Sequence, residues 1–216
     1  MANQELSTAS YHRHEAFAGR PPVHASPAAS LPAFFPAGAE IYAQGENCRN
    51  LYRVEFGAVR VYRLLADGRR QISAFHLPGE IFGFEADDRH HFFAEAICAT
   101  GVRPLPLSSG RGDLAGELVP AVLQGLVRAQ EHLLVLGCHN AVERVAAFLV
   151  DMAERQGGLL HVDLPMSRTD IGDYLGLTIE TVSRGFSRLK QKGIIRLPGL
   201  RKVEIVKWQV LQDMAA

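Results

Sequence analysis

The spacing of apolar residues changes once along this chain, and that change constrains the fold more than any other feature. Between residues 37 and 106, apolar side chains alternate in short runs separated by glycines, as at Tyr52, Val54 and Phe56. Such alternation predicts β-strands, and several short strands at this spacing are typical of a β-roll or barrel. From Pro120 the spacing becomes three to four residues, which predicts helices. We therefore expect an α+β fold, with an N-terminal β-roll and a helical C-terminal part.

The first predicted helix carries a continuous apolar stripe, and Pro120 suits its first turn because the missing N–H costs little there. The stripe is wide and long enough to pack against a partner helix as well as its own domain. We therefore favour a homodimer interface along this stripe. The alternative is a helix that packs only within its own domain. The stripe consists of Val122, Leu126, Ala129, Leu133 and Leu136.

Charge is unevenly distributed, although the net charge of the 216 residues is zero. Residues 166–207 contain nine Lys or Arg against four Asp or Glu, so a basic segment stands on an otherwise acidic chain. This pattern indicates a local contact with a polyanion. Three cysteines without CxxC spacing favour a reducing compartment, and no apolar run approaches the length of a membrane span. We expect a cytoplasmic protein without a metal site.

The basic segment contains signals for two short helices. Ser167 with Asp170 forms a capping-box pattern, Gly176 allows a tight turn, and Thr178 caps the second helix. Two helices joined by a three- to four-residue turn with glycine are typical of a helix-turn-helix. A hairpin predicted at Pro198-Gly199 adds a wing.

The second of these helices has an acidic residue at its start and cations further on. Glu180 can accept a hydrogen bond from the exocyclic amine of cytosine, and Arg184, one turn later, can bind guanine with two hydrogen bonds. A simple surface Glu–Arg pair is the alternative, but two capped helices and a cationic tail favour DNA readout. The cations Arg188, Lys190 and Arg201 suit phosphate contacts.

These features divide the chain into four predicted segments. Residues 1–30 lack any period and are expected to form a flexible arm. Residues 31–116 form the β-roll, 117–139 the dimerisation helix, and 140–216 the winged helix-turn-helix.

The sequence resembles the CRP/FNR family of bacterial transcription regulators, most closely its FNR/FixK-like branch. The resemblance spans about residues 35–210 and rests on ETVSR at 180–184, DIGDYLGLT at 170–178, NAVERVAAFL at 140–149 and PGEIFGFEA at 78–86. It implies a homodimer that binds palindromic DNA and recruits RNA polymerase. The branch also implies control of microaerobic, anaerobic or nitrogen-fixation genes, mainly as an activator.

Matching positions imply roles for individual residues. Glu180 would contact cytosine, Arg184 guanine and Ser183 thymine, while Ile179 replaces an arginine and can touch a thymine methyl. The implied operator is TTGAT-N4-ATCAA-like. The positions that match the family's phosphate contacts are Ser167, Arg168, Thr178, Thr181 and Gly199.

The departures from the family pattern concern its effectors. Phe84 and the Phe92-Phe93 pair occupy the places where cyclic-nucleotide members carry Glu and Arg-Ser, so no cyclic nucleotide is expected. No cysteine precedes Cys48, so the clustered iron–sulfur ligands of oxygen-sensing members are absent and no cofactor is expected. The alternative function is a small-molecule sensor whose β-roll gates DNA binding. We find no nucleophile–base pair, phosphate loop or metal spacing typical of an enzyme.

The histidines of the predicted β-roll are the remaining candidate ligands. His76, His90 and His91 could hold a metal or haem, but no Cys or carboxylate partner is evident beside them in the sequence. We therefore expect these side chains to be solvated.

Overall fold

In the computed structural model, residues 31–106, 111–138 and 140–215 are described, without the side chains of residues 111–115. The N-terminal part consists of eight short strands. They are β1 (Ala33–Phe35), β2 (Glu40–Tyr42), β3 (Asn50–Phe56), β4 (Val59–Leu64), β5 (Arg70–His76), β6 (Ile81–Phe82), β7 (Phe93–Ala96) and β8 (Thr100–Pro106). The predicted arm at residues 1–30 lies outside the described residues.

The strands form two four-stranded sheets, which confirms the predicted β-roll. One sheet has the order β1-β8-β3-β6 and the other β2-β7-β4-β5, with antiparallel pairing throughout. The turn at 66–68 joins β4 to β5 as predicted, with Gly68 at a φ of 82°. Gly57 is needed for close packing, because a Cβ there would lie 2.6 Å from the carbonyl oxygen of Ala99.

The long helix α1 spans Arg111–Gly137 and begins earlier than the sequence suggests. The prediction that Pro120 lies in its first turn is wrong, because nine helical residues precede it. Proline inside a helix removes one backbone hydrogen bond and crowds the carbonyl four residues earlier, here that of Gly116. The helix continues nevertheless, so the proline pattern alone did not locate its start.

The C-terminal part contains four helices and a small sheet. The helices are α2 (Ala141–Arg155), α3 (Arg168–Leu175), α4 (Ile179–Gln191) and α5 (Trp208–Ala215), and the antiparallel strands β9 (His161–Asp163), β10 (Ile195–Gly199) and β11 (Lys202–Ile205) pair in the order β10-β11-β9. Asn140 caps α2 by accepting a hydrogen bond from the Val142 N–H at 2.9 Å. Among the described residues, no helix is both long and apolar enough to cross a membrane.

One apolar core extends from the C-terminal helices to the β-roll. Phe75 of β5 packs edge-on against Phe148 of α2, with ring centroids 6.3 Å apart. Val145 and Leu149 of α2 and Ile171 of α3 are fully buried in the same cluster. Because α2 contacts α4 and β5 contacts α3, this core fixes the helix-turn-helix on the rest of the chain.

Candidate nucleic-acid interface

The first helix of the pair, α3, starts with the predicted capping box. The Asp170 N–H donates to Ser167 Oγ at 3.0 Å, and the Ser167 N–H donates to Asp170 Oδ2 at 2.9 Å. Ile171 and Leu175 are fully buried beneath the helix, and Tyr174 is partly buried. These hydrogen bonds confirm the predicted capping box. It could be found from the sequence because it involves only residues three positions apart.

Two glycines shape the tight turn between α3 and α4. Gly176 has a φ of 64°, in the left-handed region that favours glycine, and ends α3. Gly172 approaches the turn closely, since a Cβ there would lie 2.6 Å from the carbonyl oxygen of Leu177. The turn therefore sets the angle between the two helices, as a helix-turn-helix requires.

The second helix, α4, separates a buried face from an exposed one. Thr178 caps it by accepting from the Thr181 N–H at 3.3 Å, while Val182, Phe186 and Leu189 are buried. The outward face is polar at the start of the helix and cationic towards its end. Its exposed members are Ile179, Glu180, Ser183, Arg184, Ser187, Arg188 and Lys190, whereas Thr181 is partly buried.

The carboxylate of Glu180 is fully exposed at the start of α4. Its pKa is lowered by its own backbone N–H, by the Thr178 hydroxyl and by the charge of Arg184. At neutral pH the group is therefore ionised and can only accept hydrogen bonds. Such an acceptor beside an exposed guanidinium matches the donor of cytosine and the acceptors of guanine in the major groove.

Several of the residues predicted to contact phosphate also have structural partners. The Ser167 hydroxyl donates to Asp170 Oδ2 at 2.7 Å within the capping box. The guanidinium of Arg168 lies over the Phe186 ring, 3.3 Å from its centroid, and burial lowers its pKa to about 10. Arg168 still carries a charge at neutral pH and is only half-buried.

The wing is the hairpin of β10 and β11, and its turn lies two residues beyond the predicted one. Gly199 belongs to β10 and pairs with Lys202, so the turn consists of Leu200 and Arg201. The prediction of a Pro198-Gly199 turn is wrong, because β10 continues through both residues, with an irregular register between Arg196 and Gly199. The Arg201 guanidinium donates to the Pro165 carbonyl, and the Lys202 side chain is exposed.

The predicted dimer stripe is exposed over most of its length. Val122, Leu126 and Leu133 are 45%, 54% and 69% exposed, and Ala129 is exposed too. Leu136 is half-buried and lies beside Gly176 at the α3–α4 turn. An exposed apolar row of this length on a single chain is typical of an interaction surface.

The histidines of the β-roll have carboxylate neighbours, so the prediction that they are all solvated is wrong. His90 is buried and stacks on Tyr42, with ring centroids 3.6 Å apart, and its Nδ1 lies 3.3 Å from Glu85 Oε1. His91 is exposed, with its Nε2 3.0 Å from a carboxylate oxygen of Asp87. Over the described ranges, His, Cys, Asp and Glu form no group of three or more that could hold a metal ion.

Sequence reasoning missed two β-roll arginines that contact the helix-turn-helix. Arg60 and Arg70 both donate to the Asp170 carboxylate, at 3.2 and 2.6 Å. These pairs join positions 100 or more residues apart, and no local pattern marks them. The only available signal was the placement of acidic residues in an otherwise basic segment.

Both parts of the fold match known domain families. Residues 32–105 match the cyclic nucleotide-binding domain, and residues 143–214 match the Crp-like helix-turn-helix domain. The chain belongs to the CRP/FNR family of transcription regulators, which is a family of helix-turn-helix DNA-binding proteins rather than of enzymes.

Individual relatives are similar over most of their length. The chain is 53% identical to the nitrogen fixation regulation protein FixK of Rhizobium meliloti, over 85% of this chain and 87% of that protein. It is 44% identical to FixK of Azorhizobium caulinodans, over 84% and 78%. The structure of FixK2 from Bradyrhizobium japonicum superposes with a TM-score of 0.80 at 43% identity, covering 87% of this chain and 98% of that one.

Proposed function

We propose that the chain is a homodimeric, sequence-specific regulator, mainly an activator, that binds a TTGAT-N4-ATCAA-like palindrome. The observation that carries this proposal is the exposed start of α4, where Glu180 and Arg184 lie one turn apart beyond a buried helix face. Glu180 accepts from the cytosine amine, and Arg184 donates to the guanine acceptors. Each such readout discriminates against a wrong base by about 1–3 kcal/mol.

The neighbouring residues complete the proposed readout. Ser183 contacts a thymine, and Ile179 offers an apolar surface to a thymine methyl, in place of a guanidinium that would select guanine. Phosphate contacts fix the register of the helix on the duplex without reading sequence. We assign them to Ser167, Arg168, Thr178, Thr181, Arg188, Lys190, Gly199 and Arg201.

Dimerisation through α1 follows from the exposed stripe and from the symmetry of the proposed operator. The spacing of Val122, Leu126, Ala129, Leu133 and Leu136 alternates between four and three residues, which is the period of a left-handed coiled coil. Two copies packed along this row present two α4 helices to successive major grooves. The bound dimer then recruits RNA polymerase.

Regulation in this proposal needs no cyclic nucleotide. Phe92 and Phe93, both half-buried, bring rings rather than a guanidinium to the place implied for phosphate binding. Inside the β-roll, an aromatic cluster contains two stacked pairs, Tyr42 with His90 and Tyr52 with Phe82. The names of the relatives, nitrogen fixation regulation proteins, support control of nitrogen-fixation genes.

One observation favours the alternative of a ligand-gated sensor. A cavity of about 1120 Å³ opens between the β-roll, α1 and α2, and its wall includes Arg53, His76, Arg128 and Tyr174. A cavity of this size would accept a small molecule. In that case operator binding by purified protein would depend on an added ligand.

Binding by purified wild-type protein separates these candidates. Gel shifts are run in air, without added ligand, on the TTGAT-N4-ATCAA duplex and on a scrambled duplex at the same salt concentration. We expect preferential binding of the palindrome by at least about a thousandfold, in the range of specific regulators. Equal binding of both duplexes would contradict sequence-specific regulation. A preference that appears only with added ligand would support the gated sensor.

A further inference from the structure

The Asp170 carboxylate joins the β-roll to the first helix of the helix-turn-helix. Its Oδ2 accepts from the Ser167 N–H and hydroxyl, as part of the α3 cap. Its Oδ1 accepts from two β-roll arginines, Arg60 Nη1 at 3.2 Å and Arg70 Nη2 at 2.6 Å. Asp170 is only 3% exposed, so these partners take the place of water around the buried charge.

A second carboxylate in α3, that of Asp173, also contacts Arg70. Arg70 donates from Nε and Nη2 to Asp173 Oδ2, at 2.9 and 2.8 Å. The adjacent Gln71 donates from Nε2 to the Asp173 carbonyl oxygen at 2.7 Å. Side chains of β5 thus donate hydrogen bonds to α3 at two positions, Asp170 and Asp173, which lie one turn apart on the helix.

The Arg70 side chain is held in place by the β-roll before it reaches α3. Its guanidinium lies over the Tyr62 ring, 5.5 Å from the centroid. Tyr62 stacks on Phe93 of β7, with centroids 5.3 Å apart and 14° between the ring planes. A guanidinium that is already oriented loses less side-chain entropy when it forms a hydrogen bond. Phe93 therefore supports Arg70 through Tyr62.

Burial distinguishes these pairs from an ordinary surface pair on the same hairpin. The side chains of Arg70 and Asp170 are 24% and 5% exposed, whereas those of Arg69 and its partner Asp67 are 77% and 51% exposed. An exposed pair contributes little, because water and salt screen it. Removing Arg70 leaves the buried Asp170 carboxylate with Arg60 as a remaining cationic partner, and the partly uncompensated charge disfavours the docked arrangement.

We propose that Arg60, Arg70 and Gln71 form a latch with Asp170 and Asp173 that holds the helix-turn-helix in its DNA-reading orientation. The shared apolar core attaches the two parts, but hydrophobic contact is not directional. The hydrogen bonds of the latch are directional and fix the orientation of α3 on the β-roll. The turn at Gly176 then fixes the orientation of α4 relative to α3. Arg60 and Arg70 are positioning residues. The exposed face of α4 takes no part in the latch, so the latched arrangement leaves it open to DNA.

This inference rests on the proposed function, because the latch matters to DNA reading only if α4 reads DNA. The attachment of α3 to the β-roll does not depend on DNA and can be measured on the free protein. Arg70→Gln removes the charge and shortens the reach, and Asp173→Asn removes the opposite charge at nearly constant volume. Arg69→Gln is the matched control, since it changes the neighbouring arginine outside the latch.

Hydrogen exchange of the α3 amides is measured on full-length protein without DNA, alongside thermal unfolding. Arg70→Gln and Asp173→Asn are expected to speed exchange of residues 171–175 at least about tenfold, with little effect from Arg69→Gln. Operator binding by the two latch variants is expected to weaken at least about tenfold, while binding to scrambled duplex changes less. Unchanged exchange in both variants would overturn the latch, and so would tighter operator binding, which would mark an autoinhibitory contact. If wild type binds operator and scrambled duplex equally, the proposed function fails. The exchange rates of the α3 amides still test whether the latch holds α3 on the β-roll.

Discussion

The imidazole ring of His132 on α1 stacks on the phenol ring of Tyr174 on α3, with centroids 3.8 Å apart and 6° between the planes. His132 Nε2 also lies 2.8 Å from the Tyr174 carbonyl oxygen. The helix that carries the proposed dimer seam is therefore in direct contact with the first helix of the DNA-binding pair. The stack and the hydrogen bond thus join α1 directly to α3.

Leu126→Glu is expected to convert the dimer into a monomer and to weaken operator binding strongly. The substitution places a charge in the middle of the proposed seam, where desolvation of two carboxylates opposes association. Sedimentation equilibrium measures the mass directly. Gln124→Glu adds the same charge to α1 outside the stripe and should leave the dimer intact. A dimer that survives Leu126→Glu would remove the α1 seam from the account.

Gly172→Ala is expected to destabilise the helix-turn-helix by about 1–3 kcal/mol, because the new methyl group would overlap the Leu177 carbonyl oxygen. Urea unfolding measures the change. Gly116→Ala, in open space on α1, is the control and should be neutral or stabilising by up to about 1 kcal/mol. Equal stability of Gly172→Ala and wild type would show that α3 and the Leu177 carbonyl can move apart without cost, which would contradict the prediction.

His76 predicts a pH dependence of stability. Burial lowers its pKa from 6.5 to about 4, with Glu80 opposing this shift and Arg155 and Arg128 adding to it. Between these values the unfolded chain binds a proton that the folded chain does not, so the free energy of unfolding falls as pH decreases from 6.5 to 4. His76→Gln should make this decrease shallower in urea unfolding at stepped pH. The control His161→Gln, at an exposed position on β9, should keep the wild-type slope; an identical slope for His76→Gln would contradict the prediction.

Arg188→Ala is expected to weaken binding to all duplexes by a similar factor. A lost phosphate contact releases fewer counterions, so the slope of log K against log salt should become shallower by about 1 per protomer. Fluorescence anisotropy on operator and scrambled duplex, over a salt series, measures both quantities. Arg63→Ala removes an exposed cation from the β-roll instead and should change neither slope. A loss confined to the operator would assign Arg188 to base readout.

Local signals predicted much of the site. The Ser167 and Thr178 caps and the Gly176 turn were all found from sequence, because each depends on residues within three or four positions. The contacts of Asp170 with Arg60 and Arg70 could not be found in this way. They depend on how the β-roll docks on α3, which no local pattern specifies.

The errors have the same origin. Pro120 was expected to start a helix because its local cost is lowest there, yet α1 begins at Arg111. His90 was expected to be solvated because no partner is evident beside it in the sequence, yet tertiary packing buries it against Tyr42. In both cases the surrounding structure outweighed a local preference.

Discrimination at the G·C pair of the half-site tests the central claim, that Glu180 and Arg184 read sequence together. Wild type, Glu180→Ala and the control Glu154→Ala, which removes an exposed carboxylate from α2, are titrated with the palindrome and with a palindrome altered at that pair. We predict that wild type and Glu154→Ala prefer the native palindrome by about 1–3 kcal/mol per half-site, and that Glu180→Ala loses most of this preference. A Glu180→Ala protein that discriminates as well as wild type would contradict the account.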